Sequence, residues 1–223
     1  MRDAYHEELD ALSAQLVEMT RLVGSAVSRA STALLDADLT LAESVIAADD
    51  AVDALRDDLD SRALDLLARQ QPVASDLRVI VTTLKMSSDL ERMGDLARHV
   101  ARAARRRYPD SAVPAQLRAT VVEMSQVAER IVAKAGSVIA SHSVEDALQI
   151  ERDDDDMDRL HRMLFTNLLD KASPYSIEEA IDITLVSRYY ERFADHAVSV
   201  ARRVVFLVTG THPKEVTEQS LVS

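Results

Sequence analysis

Residues 84–102 read LKMSSDLERMGDLARHVAR, and residues 184–202 read TLVSRYYERFADHAVSVAR. Set against each other at an offset of 100, the two stretches share Ser87/Ser187, Glu91/Glu191, Arg92/Arg192, Asp95/Asp195, Ala97/Ala197, Val100/Val200, Ala101/Ala201 and Arg102/Arg202. A Glu-Arg-x-x-Asp core is kept intact in both. Self-similarity at a fixed period marks a duplicated structural unit. A second correspondence supports it: Asp49-Asp50-Ala51-Val52-Asp53-Ala54-Leu55 resembles Asp154-Asp155-Asp156-Met157-Asp158-Arg159-Leu160, at an offset of 105. A loop readily absorbs a five-residue change, so the repeat reaches beyond one motif and divides the chain into two similar halves.

Working outward, the rest of the chain reads as helix. Only 4 glycines and 5 prolines interrupt 223 residues, far below ordinary usage. From residue 3 to 36, Leu9, Leu12, Leu16, Met19, Val23, Ala26, Ala30 and Leu34 recur at alternating steps of three and four, one stripe of an amphipathic helix. A break near Asp36-Ala37-Asp38 precedes a second helix over 39–69, with Val45, Val52, Leu55, Leu59 and Leu66 on its stripe. Pro72 stops it, because the residue before a proline is pushed out of the α region. Ser75 or Asp76 offers a cap for a third helix reaching Arg107. Tyr108 to Pro114 holds two of the five prolines and is the boundary between halves. Helices over 115–140, 144–172 and 176–208 follow, with Ser173-Pro174 repeating the role of Pro72 and Gly210 and Pro213 ending the fold. The expectation is an all-α protein of six long helices, arranged as two tandem three-helix antiparallel bundles over 1–108 and 109–209. A polar C-terminal tail (210–223) follows them. With aromatic residues at 4%, the interface between the bundles should be aliphatic.

Composition narrows the function. The 26 basic and 38 acidic residues leave a net charge of −12, the wrong sign for a protein that neutralises nucleic-acid phosphates. The basic cluster Arg105-Arg106-Arg107 ends a helical pattern, where cations oppose the helix dipole, and is expected to act locally. Absence of cysteine excludes disulfides and thiolate metal sites. No apolar run approaches the roughly 20 residues of a membrane span, and the first twelve residues lack a secretory core. A soluble cytoplasmic protein, with no direct membrane insertion, is expected. No Gly-rich phosphate loop, dinucleotide fingerprint, G-x-S-x-G elbow or Glu-x-x-His motif is present, so no catalytic residue is nominated.

The chemistry left over lies in paired carboxylates. Residues four apart share a helix face, so Glu91/Asp95, Glu191/Asp195, Asp49/Asp53 and Asp154/Asp158 can each present two carboxylates to one hard cation. Such pairs are common in so acidic a chain, and their position is what distinguishes them. The stripe Leu77, Ile80, Leu84 leads on to Ser87, Glu91 and Gly94, and Ile177, Ile181, Thr184 lead to Ser187, Glu191 and Ala194. A glutamate stands where a core residue is expected, in both halves. A partly buried carboxylate is costly unless paired with an arginine or a metal. Both solutions stay open: metal binding, or a structural carboxylate–arginine network through Arg92 and Arg192. His99 and His196 lack histidine counterparts and are expected to pack or lie at the surface. The run Asp153–Asp156 reads as a solvated face, and Met86, Met93, Met124, Met157 and Met163 read as core.

These residues resemble the PhoU family of phosphate-signalling proteins. Arg69-Gln70-Gln71-Pro72-Val73-Ala74-Ser75-Asp76-Leu77-Arg78, followed by Asp89-Leu90-Glu91-Arg92-Met93-Gly94-Asp95, is similar to that family's most recognisable stretch, and the likeness runs over the chain up to its tail. The resemblance implies a cytoplasmic negative regulator of the phosphate-starvation response, acting between a phosphate ABC transporter ATPase and a two-component sensor histidine kinase, as a homodimer. It also implies multinuclear divalent, iron or zinc clusters, with Asp49, Asp53, Glu91 and Asp95 serving the first half and Asp154, Asp158, Glu191 and Asp195 the second. The second half departs from the pattern at Ser173-Pro174-Tyr175-Ser176-Ile177-Glu178. Other readings of the residues are a metal-dependent carboxylate-cluster enzyme and a purely structural helical scaffold.

Overall fold

The computed structural model describes residues 2–170 and 174–211; Ser173 and the tail beyond 211, Pro213 included, lie outside the described residues. The described chain forms seven α-helices: α1 (Arg2–Asp36), α2 (Leu39–Ala48), α3 (Asp50–Gln70), α4 (Ser75–Arg107), α5 (Arg118–Ser141), α6 (Val144–Leu169) and α7 (Ile177–Thr209). The helix expected over 39–69 is present but interrupted at Asp49, so α2 and α3 together make one broken rod. A short 3-10 turn, Ala115–Leu117, leads into α5.

Helix ends follow local chemistry. Asp38 caps α2 by accepting from the Leu41 amide, and Ser143 caps α6 from Asp146. Ser176 and Glu179 form a reciprocal capping box at α7, and Gly210 closes that helix at φ 75°, a backbone region that favours glycine. The start of α4 differs from expectation. Neither Ser75 nor Asp76 caps it; Ala74 holds the N-cap position without a side-chain bond, and the Ser75 hydroxyl donates to Asp76 instead.

The first bundle packs α1, the α2–α3 rod and α4; the second packs α5, α6 and α7. The two meet broadly, α1 against α5 and α4 against α7. Hence α1, α4, α5 and α7 form an inner layer, with α2–α3 outside it on one side and α6 on the other. One cluster of buried aliphatic side chains runs through both bundles, from Leu12, Leu16 and Met19 in α1 to Val200 and Val204 in α7. Each such side chain contributes about 1.5–3 kcal/mol on burial. The predicted α1 stripe is inside except for Ala26, which is half-buried. Met86, Met93, Met124 and Met157 are core, whereas Met163 is exposed.

Polar ties cross the junction between bundles. The Tyr190 hydroxyl, fully buried, meets Ser31 Oγ at 2.7 Å. Buried Asp89 accepts from Arg203 at 2.7 Å and lies 3.1 Å from His196 Nδ1. Buried Asp182 accepts from Arg106 at 2.8 Å and from Arg107. His99 stacks on Tyr189, ring centroids 5.1 Å apart. The junction is therefore aliphatic but pinned by tyrosine and by buried charge. Arg106 and Arg107 act across it rather than locally. No described helix is long and apolar enough to cross a membrane.

Candidate functional site: two carboxylate faces

Each outer rod lays its acidic pair against the acidic pair of an inner helix. In the first half the rod breaks where this happens. Val52 N donates to Asp49 O at 2.9 Å and Asp53 N to the same oxygen at 3.4 Å, a tightened turn at the α2–α3 junction. Opposite it stands Gly94, where an added Cβ would touch Asp49 Oδ1 at 3.4 Å and Val52 at 3.5 Å. At this crossing α4 comes close enough for Asp49, Asp53, Glu91 and Asp95 to feel one another's charge.

Arginines dominate this first face. Arg98 Nη1 approaches Asp49 Oδ2 at 2.5 Å, without the alignment of a hydrogen bond, while its Nη2 donates to Asp95. Arg92 pairs with Asp95 at 3.2 Å and with Glu91 at 3.6 Å. Arg56 stands close enough to oppose Glu91's rise. Burial nonetheless raises the Asp49 carboxyl above its ordinary value, against Arg98, with Asp53, Asp95 and Asp50 adding to the rise. Glu91 is raised for the same first reason.

The second face has the same acids in a different setting. α6 runs unbroken past Asp154. At the repeat of Arg98 stands Val198, buried and neutral, and at the repeat of Arg56 stands His161. Among the described residues, only Arg188, which donates to Glu191, and the exposed pair Arg162–Asp158 at 3.4 Å make ion pairs with these four acids. Burial, then the charges of Asp195, Asp158, Asp155 and Glu191, push Asp154 up to about 7. Burial, then Asp195, raises Glu191. Asp154 Oδ1 and Glu191 Oε2 are buried with no hydrogen-bond partner. His161 Nδ1 lies 2.8 Å from Ser187 Oγ, and burial, then Arg188, lower its pKa.

All eight predicted carboxylates thus sit where the duplication placed them, four on each outer face. In neither face do three acidic or histidine side chains of the described residues converge on a metal-holding geometry. The oxygen donors nonetheless suit a hard cation, and the orphaned oxygens make the second face the better fit. Among the described residues, the arginine network weighed as the alternative to metal is extensive in the first half and reduced to Arg188 and Arg162 in the second. Arg92 takes part; Arg192 makes no ion pair among the described residues. Arg98, three residues after Asp95 on the same helix face, and Arg188, three before Glu191, carry the pairing instead. That i,i+3 spacing was the available signal. The run Asp153–Asp156 is only partly solvated, since Asp153 pairs with Lys134 at 2.5 Å and Asp154 is partly buried.

Comparison with known proteins places these features in context. The family model described as PhoU domain matches twice, over residues 16–104 and 121–204. "Phosphate-specific transport system accessory protein PhoU homolog 2" of Mycobacterium tuberculosis (strain ATCC 25618 / H37Rv) is 50% identical over 96% of this chain and 100% of its own length. The "PhoU homolog 1" of Mycobacterium leprae (strain TN) is 46% identical over 96% and 97%. The crystal structure of PhoU from Pseudomonas aeruginosa superposes with a TM-score of 0.82 at 32% identity, covering 93% of this chain and 100% of that one. The phosphate transport system regulatory protein PhoU from Streptococcus pneumoniae superposes with a TM-score of 0.84 at 26% identity, covering 93% and 98%.

Proposed function

This chain belongs to the PhoU family, and from that premise we propose that it is a non-enzymatic regulatory adaptor of a phosphate transport system. In this reading it acts in the cytoplasm, as a homodimer, between a phosphate ABC transporter ATPase and a sensor histidine kinase, and damps the phosphate-starvation response. The observation that carries the proposal is the match of both halves to the family over nearly the whole chain, together with relatives named as accessory and regulatory proteins of phosphate transport.

The carboxylate faces fit this role as surfaces whose charge a bound cation would reset. Asp154, Asp158, Glu191 and Asp195 would hold a divalent, iron or zinc centre on the second face, and Asp49, Asp53, Glu91 and Asp95 on the first. Such a metal would supply positive charge and fixed coordination. The chain's own part is to present clustered carboxylates, poorly neutralised in the second half, on the outer side of each bundle.

The test is genetic and biochemical. Deleting the gene, and any second copy, should leave starvation genes active in ample phosphate; normal repression in that strain would overturn the adaptor reading. Tagged protein from phosphate-replete cells should recover the kinase or the transporter ATPase. Metal is checked separately, by elemental analysis of protein purified without chelator. Replacing Glu191 and Asp195 together with Ala should remove the second-face ion, and unchanged metal content in that variant would rule the face out.

A further inference from the structure

The duplication supplies an internal control at the junction between α4 and α7. These helices run antiparallel, so the C-terminal turns of each lie beside the N-terminal turns of the other. At one corner, cations from α4 meet acids from α7: Arg106 and Arg107 pair with Asp182, and Arg107 reaches Glu178 at 2.9 Å. At the opposite corner α7 brings Arg202, Arg203 and Phe206. The repeat positions of Asp182 and Glu178 are there Thr82 and Arg78, and Lys85 is added one turn on. Where one corner balances charge, the other accumulates it.

That second corner is a groove of about 360 Å³, lined by Val81, Thr82, Lys85, Ser199, Arg202, Arg203 and Phe206. Its volume lies in the range of small-molecule sites. The Arg78 guanidinium sits over the Phe206 ring, 5.9 Å from its centre, at the edge of the groove. Two of the cations are already engaged: Arg203 with Asp89 at 2.7 Å, and Arg202 with Glu151 at 2.6 Å. Lys85 and Arg78 have no carboxylate partner among the described residues. On a chain of net charge −12, a groove that holds Lys85 without a carboxylate partner, two hydroxyl-bearing side chains and an aromatic wall with Arg78 stacked on it at the edge runs against the general field.

We propose that this α4–α7 groove binds the phosphoryl group of a small phosphate anion, with Lys85 and Arg78 supplying the charge and Thr82 and Ser199 supplying hydroxyls. Arginine and lysine are the side chains that phosphate oxygens select, by charge-assisted hydrogen bonds. Recognition here comes from side chains in a helix–helix groove, which is why a search for glycine-rich phosphate loops passes over it. The phosphoryl group could arrive as free inorganic phosphate or as the polyphosphate of a nucleotide, whose base would lie against the apolar Val81 wall. The inference is independent of the carboxylate faces and of the adaptor role.

Isothermal titration of the full-length protein with inorganic phosphate and, separately, with ATP tests it. Chelator is kept present throughout, so that no metal on the carboxylate faces can bridge to phosphate. One saturable site is expected, with Lys85→Glu weakening binding by about tenfold or more and Arg105→Glu, an exposed reversal at the other corner, leaving it unchanged. Saturation by ATP alone identifies the nucleotide as the source. Saturation by phosphate, or displacement of ATP by it, identifies the free ion. Saturation by neither probe overturns the proposal, as does equal binding by Lys85→Glu and wild type. Because Lys85 is exposed, its variant should melt as the parent does, and Arg78→Gln provides a second test of the same groove.

Discussion

Asp154 and Asp49 are the same residue of the repeat, yet they experience different fields because Arg98 gives way to Val198. In the first half the guanidinium spans Asp49 and Asp95. Arg98→Ala should destabilise the protein by about 2–3 kcal/mol at neutral pH, since it strands a buried carboxylate. The loss should shrink as pH falls, because Asp49, raised above its ordinary value by burial, takes up a proton and no longer needs the guanidinium; pH-independent loss in chemical denaturation would contradict the pairing. In the second half Asp154 titrates near 7, above its ordinary 3.8. Folding therefore raises its proton affinity. The stability this contributes is full below about pH 4 and is lost as pH rises through 7. In metal-free protein, Asp154→Asn should raise stability at pH 8 relative to wild type, on the order of 1–2 kcal/mol after allowance for its partial exposure, and by less at pH 5. An equal effect at both pH values would place the carboxyl in the ordinary range.

At the scale of elements, the caps and the broken rod set where these side chains stand. Ser176 and Glu179 hold the first turn of α7 by reciprocal bonds, Ser176 N to Glu179 Oε2 at 2.8 Å and Glu179 N to Ser176 Oγ at 3.2 Å. Ser176→Ala should cost about 1 kcal/mol and loosen amide protection at residues 177–180 first. Protection unchanged there would show that the packing of Asp182 against Arg106 and Arg107 fixes the turn without the cap. The sequence stripe on this helix reads Ile177, Ile181, Thr184, yet Ile177 and Ile181 are exposed, and so is Leu77 on α4. Periodicity identifies which face of a helix could be buried; how far the neighbouring helix extends decides how much of that face is covered.

Across the whole molecule, the two halves are not independent. Their aliphatic side chains form one continuous cluster, tied by Tyr190 to Ser31 and by Asp89 and Asp182 to cations of the other half. A chain of 223 residues built from two repeats could unfold in two steps, since two-state behaviour is usual only below about 150 residues. The shared core predicts a single calorimetric transition instead. Two resolved transitions, one for each half, would show that the junction is weaker than its packing suggests. Tyr190→Phe should lower the single transition by removing one buried hydrogen bond, about 1 kcal/mol.

The helices, the duplication and the partition of acids between two faces were legible in the amino-acid sequence, because helical period and repeat offset are local and linear quantities. Leu12, Leu16, Met19 and Val23 announce their burial by spacing alone, and Glu91 and Glu191 announce theirs by interrupting such spacing. What needed the tertiary structure was every relation between elements. The break at Asp49 falls where the α2–α3 rod meets α4 at Gly94. The neutralisation of one face by Arg98, and its absence at Val198, depends on which turns of two helices lie opposite each other. The pairing of Arg106 and Arg107 with Asp182, and the unbalanced cations around Lys85, come from the antiparallel crossing of α4 and α7. Charges more than 70 residues apart meet only when a packed core fixes the register of its helices, and no pattern along one helix encodes that register.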